Sequence, residues 1–430
     1  MKNGVFKIFN LIKQCSLLEI TFLINAITIV HIKLVPYGIS ILFLVWLFEL
    51  FRRKIFLDRK YLKGSLFIAI PFLLASLSLL YTSNLNKGIE ELSRLLPFLL
   101  FPFFFLFRPK NQKNKNNTIL FFIVFVTTLI IRLLINLYES FSDYLEVPRL
   151  YYFIYSWYVQ DTNIVSIYIL FALLGLFAFF SRNGFKKNKI VFWVIQLFLL
   201  CSLVLLQSRI VIASYFIGMV LILILNKKSW SLKYGLILLV FPVFIFLLPI
   251  AQSRFTSIKE QTLEVVSIEK QSNTKIEKQI DNGDDLTKEL EAPASCKTSF
   301  QLRYNAYKST LSIIKNNLFI GVGTGDWRDE LTEDYRINNK ICNYVEQTAP
   351  HNQYLRTTLK HGLIGGLILL IYLIVLFKTS KKSSSILALP FMISLILTSF
   401  GYDVLDVGGL APINAFFLTV IFVPILFREK

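Results

Sequence analysis

Long apolar runs broken by short polar stretches recur along the chain from Leu17 to Phe427. Runs of roughly 15 to 23 residues have the length an α-helix needs to cross the hydrocarbon core of a bilayer. They predict about twelve spans, near residues 16–34, 37–51, 65–81, 91–107, 118–138, 162–181, 190–206, 210–226, 232–250, 354–377, 385–400 and 409–427. The runs are continuous Leu, Ile, Phe and Val, without the alternation that the short strands of a closed barrel require, so helices are expected. Residues 251–350 are polar and far longer than any other connection. The expected fold class is an all-α integral membrane protein of about 12 transmembrane helices. One large external loop between helices 9 and 10 carries short surface helices. This divides the chain into residues 1–250 (helices 1 to 9), 251–350 (the loop) and 351–430 (helices 10 to 12).

Composition agrees: 55% of the 430 residues are hydrophobic, 15% are aromatic, and mean hydropathy is +0.59. Disordered, collagen-like and disulfide-scaffold classes are excluded. Lysine and arginine number 46 against 27 acidic residues, a net charge of +19. In a soluble chain that excess would suggest nucleic acid, but here it falls in short loops between apolar runs. Alternate loops separate cleanly: one set, which includes both chain ends, holds 25 Lys and Arg, and the other short loops hold Lys33, Lys87, Arg149 and Arg209. By the positive-inside rule the chain is a multi-pass membrane protein with both termini cytoplasmic and residues 251–350 outside. Membrane lipid, not nucleic acid, is the partner the charge implies. The lysine-bearing N-terminus has no small-residue cleavage site and reads as an uncleaved first span. Of the four cysteines, Cys296 and Cys342 lie in the external loop, where they either pair or stay apart.

The loop has two halves. Residues 256–295 are rich in Lys, Glu, Gln, Asp and Asn without apolar period, which predicts a mobile insertion. Residues 299–316 turn amphipathic, with Leu302, Ala306, Leu311 and Ile314 on one face, and predict a helix lying on the membrane surface. Gly321-Val322-Gly323-Thr324-Gly325 follows; it resembles a phosphate cradle in composition but lacks the preceding strand and the Lys-Ser or Lys-Thr of a nucleotide site, so a tight turn is the better reading.

Candidate chemistry concentrates at the outer boundary. Arg209 sits in a very short external turn, and Arg303 lies on the surface helix beside Tyr304 and Tyr307. Each either anchors to lipid headgroups or is a solvated charge, or recognises phosphate with its planar fork; together they would neutralise a diphosphate. His351 lies between Pro350 and Asn352-Gln353-Tyr354 at the start of span ten. A neutral imidazole there can take a proton from a hydroxyl, or can simply begin the helix. His31 and His361 read as interfacial and packed. Asp403 and Asp406 read as solvated acids of the last external turn, with a weaker reading in which one orients an imidazole or a sugar hydroxyl. Asn352, Tyr354, Tyr307 and Asp403 are the supporting candidates. His351 and His361 are ten residues apart with no companion motif, so no metal site and no cofactor are expected. The span interiors read as almost free of charge apart from Glu49, Arg132 and Glu139.

Ser-Arg at the start of span eight, an arginine helix leading to Ile-Gly-Val-Gly-Thr-Gly-Asp-Trp, and Pro-His-Asn-Gln-Tyr-Leu-Arg-x-x-Leu-x-x-x-Gly-Leu-Ile-Gly running into span ten are similar to the bacterial O-antigen ligase and O-antigen polymerase superfamily. The likeness covers residues 205–220 and 300–370 by motif and most of the chain by architecture. It implies a metal-independent membrane glycosyltransferase of the GT-C type. Such an enzyme moves a glycan from undecaprenyl pyrophosphate to a hydroxyl, for a ligase that of a lipid A core sugar, on the periplasmic face. Carried over, Arg209 and Arg303 hold the pyrophosphate and His351 acts as base or orients the acceptor. The insertion at 256–295 departs from the compact loop of many members. A polysaccharide polymerase or protein O-oligosaccharyltransferase of the same superfamily is the alternative, and a glycolipid flippase the alternative of another class.

Overall fold

The computed structural model describes residues 16–109, 117–146, 162–183, 189–206, 208–225, 235–240 and 299–426. The predicted insertion 256–295 falls outside the described residues. The chain is nearly all-α. In order its helices are α1 (Leu17–Thr28), α2 (Val35–Phe51), α3 (Leu62–Ile68), α4 (Ile70–Ser78), α5 (Leu85–Leu95), α6 (Pro97–Phe105), α7 (Thr118–Glu146), α8 (Thr162–Asn183), α9 (Lys189–Leu205), α10 (Arg209–Leu225), α11 (Ser299–Asn316), α12 (Trp327–Ile337), α13 (Ile341–Glu346), α14 (Gln353–Lys382), α15 (Ala388–Thr398) and α16 (Ala411–Phe422). Two short strands, β1 (Ile55–Leu57) and β2 (Phe107–Pro109), pair antiparallel.

Among the described residues three helices are long and apolar enough to cross a membrane: Thr118–Glu139 within α7, Thr162–Ser181 within α8, and α14. The run predicted at 65–81 folds as α3 and α4, bent by 56° and together passing the same test. Six of the other helices are apolar but shorter. In the run predicted at 91–107, Pro97 starts α6 and Pro102 lies inside it, where a missing N–H weakens the ladder.

The chain divides into two compact units. The first comprises residues 1–74, 92–242 and 370–430. Its core is built on phenylalanine, which accounts for much of the 41 in the sequence. Phe417 stands edge-on to Phe171 at 4.8 Å and to Phe125 at 5.2 Å, and Phe416 meets Phe101 at 5.4 Å. Such edge-to-face pairs add to the dispersion gain where lipid leaves little hydrophobic drive between helices. Polar groups inside this unit staple helices to one another: Asn25 donates to the Gly38 carbonyl at 3.0 Å, and the Arg132 guanidinium to that of Val30. The second unit comprises residues 75–91 and 243–369. Around Ala306, Ile313, Ile314, Trp327, Leu331, Tyr335 and Leu359 it has a hydrophobic core of its own.

Candidate functional site

His351 is set by its neighbours. Asn352 caps α14 as the residue type favours: its Oδ1 accepts from the Leu355 N–H at 3.1 Å and its carbonyl from that of Arg356 at 2.9 Å. Gln353, buried, donates to Thr357 Oγ1 at 3.0 Å. His351 immediately precedes this cap at φ 46°, a left-handed conformation few non-glycine residues adopt. The half-buried imidazole therefore stands on a fixed turn at a helix start, as its sequence context predicts.

Eleven residues beyond His351, α14 breaks. Gly362 (φ 63°, ψ −166°) interrupts the helix, so the carbonyls of Leu359 and Lys360 and the N–H groups of Leu363 and Ile364 lose the partners a regular ladder would provide. The glycine turn replaces them all. Val322 and Gly323 donate to Leu359 and Lys360 at 3.0 and 2.9 Å, while Leu363 and Ile364 donate to Leu318 and Phe319 at 2.8 and 3.3 Å. A Cβ on Gly362 would lie 2.1 Å from the Phe319 oxygen, and one on Gly321 (φ 69°) 2.5 Å from the Gly362 nitrogen. The Gly325 N–H is taken by Thr82 Oγ1 at 2.9 Å. With these three N–H groups committed to protein acceptors, the motif is the tight turn expected of it and not a phosphate cradle.

An ionic cluster that sequence reasoning missed packs beside the break. Glu91 Oε2 accepts from Arg356 Nη2 at 2.9 Å and Lys360 Nζ at 3.1 Å, and Arg328 Nε stands 3.8 Å from Oε1. The side chains of Glu91, Arg356 and Lys360 are only 6%, 3% and 2% exposed. Spacing of i and i+4 puts both cations on one helix face. There the buried Trp327 ring supports them, with the Arg356 guanidinium 4.3 Å and Lys360 Nζ 5.5 Å from its centroid. The expectation of nearly charge-free span interiors is thereby corrected: Glu91 opens the predicted run 91–107, and Arg356 and Lys360 lie within 354–377. That position was the available signal, because ionisable residues inside an apolar run are costly and need a partner. The cluster fixes the first half of α14, and hence the cap that carries His351.

Nearby, Asp326 accepts from the N–H groups of Ser83 and Asn84, both at 2.7 Å, at the start of α5. With Asp329, Glu330 and Asn86 these residues line an open cleft of about 550 Å³. Burial and the surrounding Asp326, Asp329 and Glu333 charges push the Glu330 carboxyl upward. Burial would raise Asp329 as well, but hydrogen bonds from Lys87 and Asn84 overcome it and hold that carboxyl low.

Helix α11 forms as predicted and buries Ala306 and Ile314 of the expected face, but is rotated so that Leu311 points outward. Ala306, Ser309, Thr310, Ile313 and Ile314 are buried, whereas Leu311 is 49% exposed. Polar bonds to neighbouring elements set this rotation: Asn343 Nδ2 donates to the Leu302 carbonyl at 2.7 Å, and Lys340 Nζ to Ser309 Oγ at 2.5 Å and to Asp334 at 3.2 Å. Arg303 and Tyr307 are half-buried on α11, one residue beyond Leu302 and one beyond Ala306. Leu355, one turn into α14, packs against the core that holds Ala306. Arg303, Tyr307, His351, Asn352 and Tyr354 thus all belong to the second unit. Cys342, in α13, is disulfide-bonded, and Cys296 lies outside the described residues.

Arg209 and Asp403 belong to the first unit. Arg209 is the exposed first residue of α10. Ser208 before it is buried, with Oγ 3.1 Å from Tyr402 Oη, which donates to Asn163 Oδ1 at 2.6 Å. Reading Asp403 and Asp406 as solvated is corrected: they are 1% and 8% exposed, in a turn where the Asp403 carbonyl accepts from the N–H groups of Asp406 and Val407. Hydrogen bonds of this compact turn, including Asn414 Nδ2 to the Val404 carbonyl at 2.6 Å, keep it folded inward.

A search of curated proteins finds no match to this chain. Residues 194–370 match the family model described as O-Antigen ligase. That stretch runs from α9 through the cap and break of α14, and over those residues the chain is similar to the O-antigen ligase family.

Proposed function

We propose that this protein is an O-antigen ligase-like, metal-independent glycosyltransferase. It moves a glycan from undecaprenyl pyrophosphate to a hydroxyl acceptor, a sugar of the lipid A core, on the periplasmic face of the inner membrane. The observation that carries this reading is that the family match, residues 194–370, encloses Arg209, Arg303 and His351 together. In this reading the twelve runs are spans, both termini are cytoplasmic, and residues 251–350 are periplasmic. The disulfide at Cys342 supports an oxidising compartment on that side.

The acceptor oxygen attacks the anomeric carbon as the bond from that carbon to the diphosphate breaks, and the bonding pair leaves with the diphosphate. The acceptor proton passes to His351. Negative charge grows on the leaving group, so Arg209 and Arg303 bind the transition state more tightly than the ground state, which is the requirement for catalysis. A positioned base contributes on the order of 10² to 10⁴ in rate. Asn352 supports this role by fixing the turn from which the imidazole projects, and Tyr354, Tyr307 and Asp403 are supporting residues in the same reading.

A polymerase shares donor and leaving group and differs only in which hydroxyl attacks. Purified protein given lipid-linked glycan with either core lipid or a second donor glycan separates the two. Glycan joined to core, and lost in Arg209→Ala, Arg303→Ala and His351→Ala, supports the ligase; chain lengthening without core overturns that choice in favour of the polymerase.

A further inference from the structure

The loop that plugs the α14 break carries three apolar side chains the preceding argument does not use. Leu318, Phe319 and Ile320 are 40%, 69% and 55% exposed. Their backbone registers directly on α14 through the bonds from Leu363 and Ile364, so the loop tip lies level with the first turn after the break. That turn opens the apolar part of a helix long and hydrophobic enough to span a bilayer, of which only 33% is buried. Leu363 and Ile364, beside the loop, are 43% and 51% exposed.

We propose that Leu318-Phe319-Ile320 is a wedge inserted among the hydrocarbon chains of the surrounding lipid leaflet, although it belongs to a segment that by sequence is an external, water-facing loop. The inference rests on the chain being a membrane protein and on no part of the glycosyl-transfer mechanism. Three observations name lipid as the occupant. First, the exposed face is continuous with the exposed face of the spanning helix, whose surroundings are lipid. Second, the carbonyls of the tip find partners within the protein, as irregular backbone at membrane depth requires. The Leu318 and Phe319 carbonyls accept from Leu363 and Ile364, the Ile320 carbonyl accepts from Tyr81 Oη at 2.8 Å, and the Gly321 N–H donates to Asn317 at 3.1 Å. Third, no charged residue lies between Leu318 and Gly325, while the exposed Lys315 just before the loop can snorkel to headgroups. The wedge would hold the first half of α14, and the turn carrying His351, against the membrane surface on which a lipid-linked substrate lies.

The test uses full-length protein in vesicles of phosphatidylethanolamine and phosphatidylglycerol with radiolabelled acyl chains. Phe319→p-benzoylphenylalanine and Ile320→p-benzoylphenylalanine are photolysed beside two references, the same photoprobe at Leu367 in the span and at the exposed Glu333. Both loop positions are expected to take up lipid label to the extent of Leu367, with Glu333 near background. Labelling of 319 and 320 as low as Glu333, with Leu367 labelled, overturns the wedge and leaves the membrane reading standing. A crosslinked dimer at 319 in place of lipid label assigns the patch to a second copy and also overturns it. Loss of label at Leu367 as well overturns both together.

Discussion

Glu91→Gln removes the carboxylate on which Arg356 and Lys360 converge, and the structure sets the size of the effect. All three side chains are nearly inaccessible, so solvent screening, which reduces exposed pairs to a fraction of a kcal/mol, does not apply. Removing one partner of a buried ion pair costs about 3–5 kcal/mol, because the remaining charge stays desolvated. For a folding unit of about 150–250 residues, at roughly 2–4 °C per kcal/mol, that is a fall in Tm of roughly 6–20 °C. Thermal unfolding in detergent measures it, with Glu333→Gln as reference: that residue pairs with Arg336 on the surface and should leave Tm unchanged. Adding Lys360→Gln to Glu91→Gln should recover part of the loss, since coupled neighbours are not additive. A Glu91→Gln shift no larger than that of Glu333→Gln would show that the cluster is hydrated and does not fix α14.

Further outcomes follow from other features. Gly362→Ala and Gly321→Ala each drive a Cβ into backbone within 2.5 Å at a positive φ and should abolish folded yield by size-exclusion chromatography. In contrast, Gly366→Ala meets only the Thr358 side chain and should express normally. Glu330 is raised in the folded state, so it favours folding below the ordinary glutamate range and loses that contribution as pH rises through its folded pKa. Glu330→Gln should therefore raise Tm at pH 7 and change it little at pH 4. His351→Ala should lower kcat on the order of 10² to 10⁴ with little change in KM, whereas His351→Ala with unchanged kcat removes the imidazole from the proton transfer. Asn352→Ala, which unseats the cap without touching the ring, should lose activity in parallel with a smaller loss of stability, about 1 kcal/mol.

Much of this protein is legible in one dimension because the bilayer imposes one-dimensional rules. A spanning helix must satisfy its own backbone, so an apolar run announces it, and loop charge announces its orientation. The helix start at His351 and the helix over 299–316 were readable for a similar reason, since both depend on neighbours within a turn or two. What the order of residues does not encode is which distant groups complete one another. The face α11 buries follows from Asn343 and Lys340, some forty and thirty residues away. The glycine turn was legible as a turn, but not that its N–H groups fill the break at Gly362. Glu91 lies more than 260 residues from Arg356 and Lys360, and nothing local to it says that it will be buried among them. Sequence alone determined the helical class, the family likeness and the residues worth testing, because those depend on local periodicity and solvent preference. Only the tertiary structure decided how the broken helix is plugged and what fixes the turn that carries His351, because a buried polar group is stable only when a partner from elsewhere in the chain arrives to satisfy it.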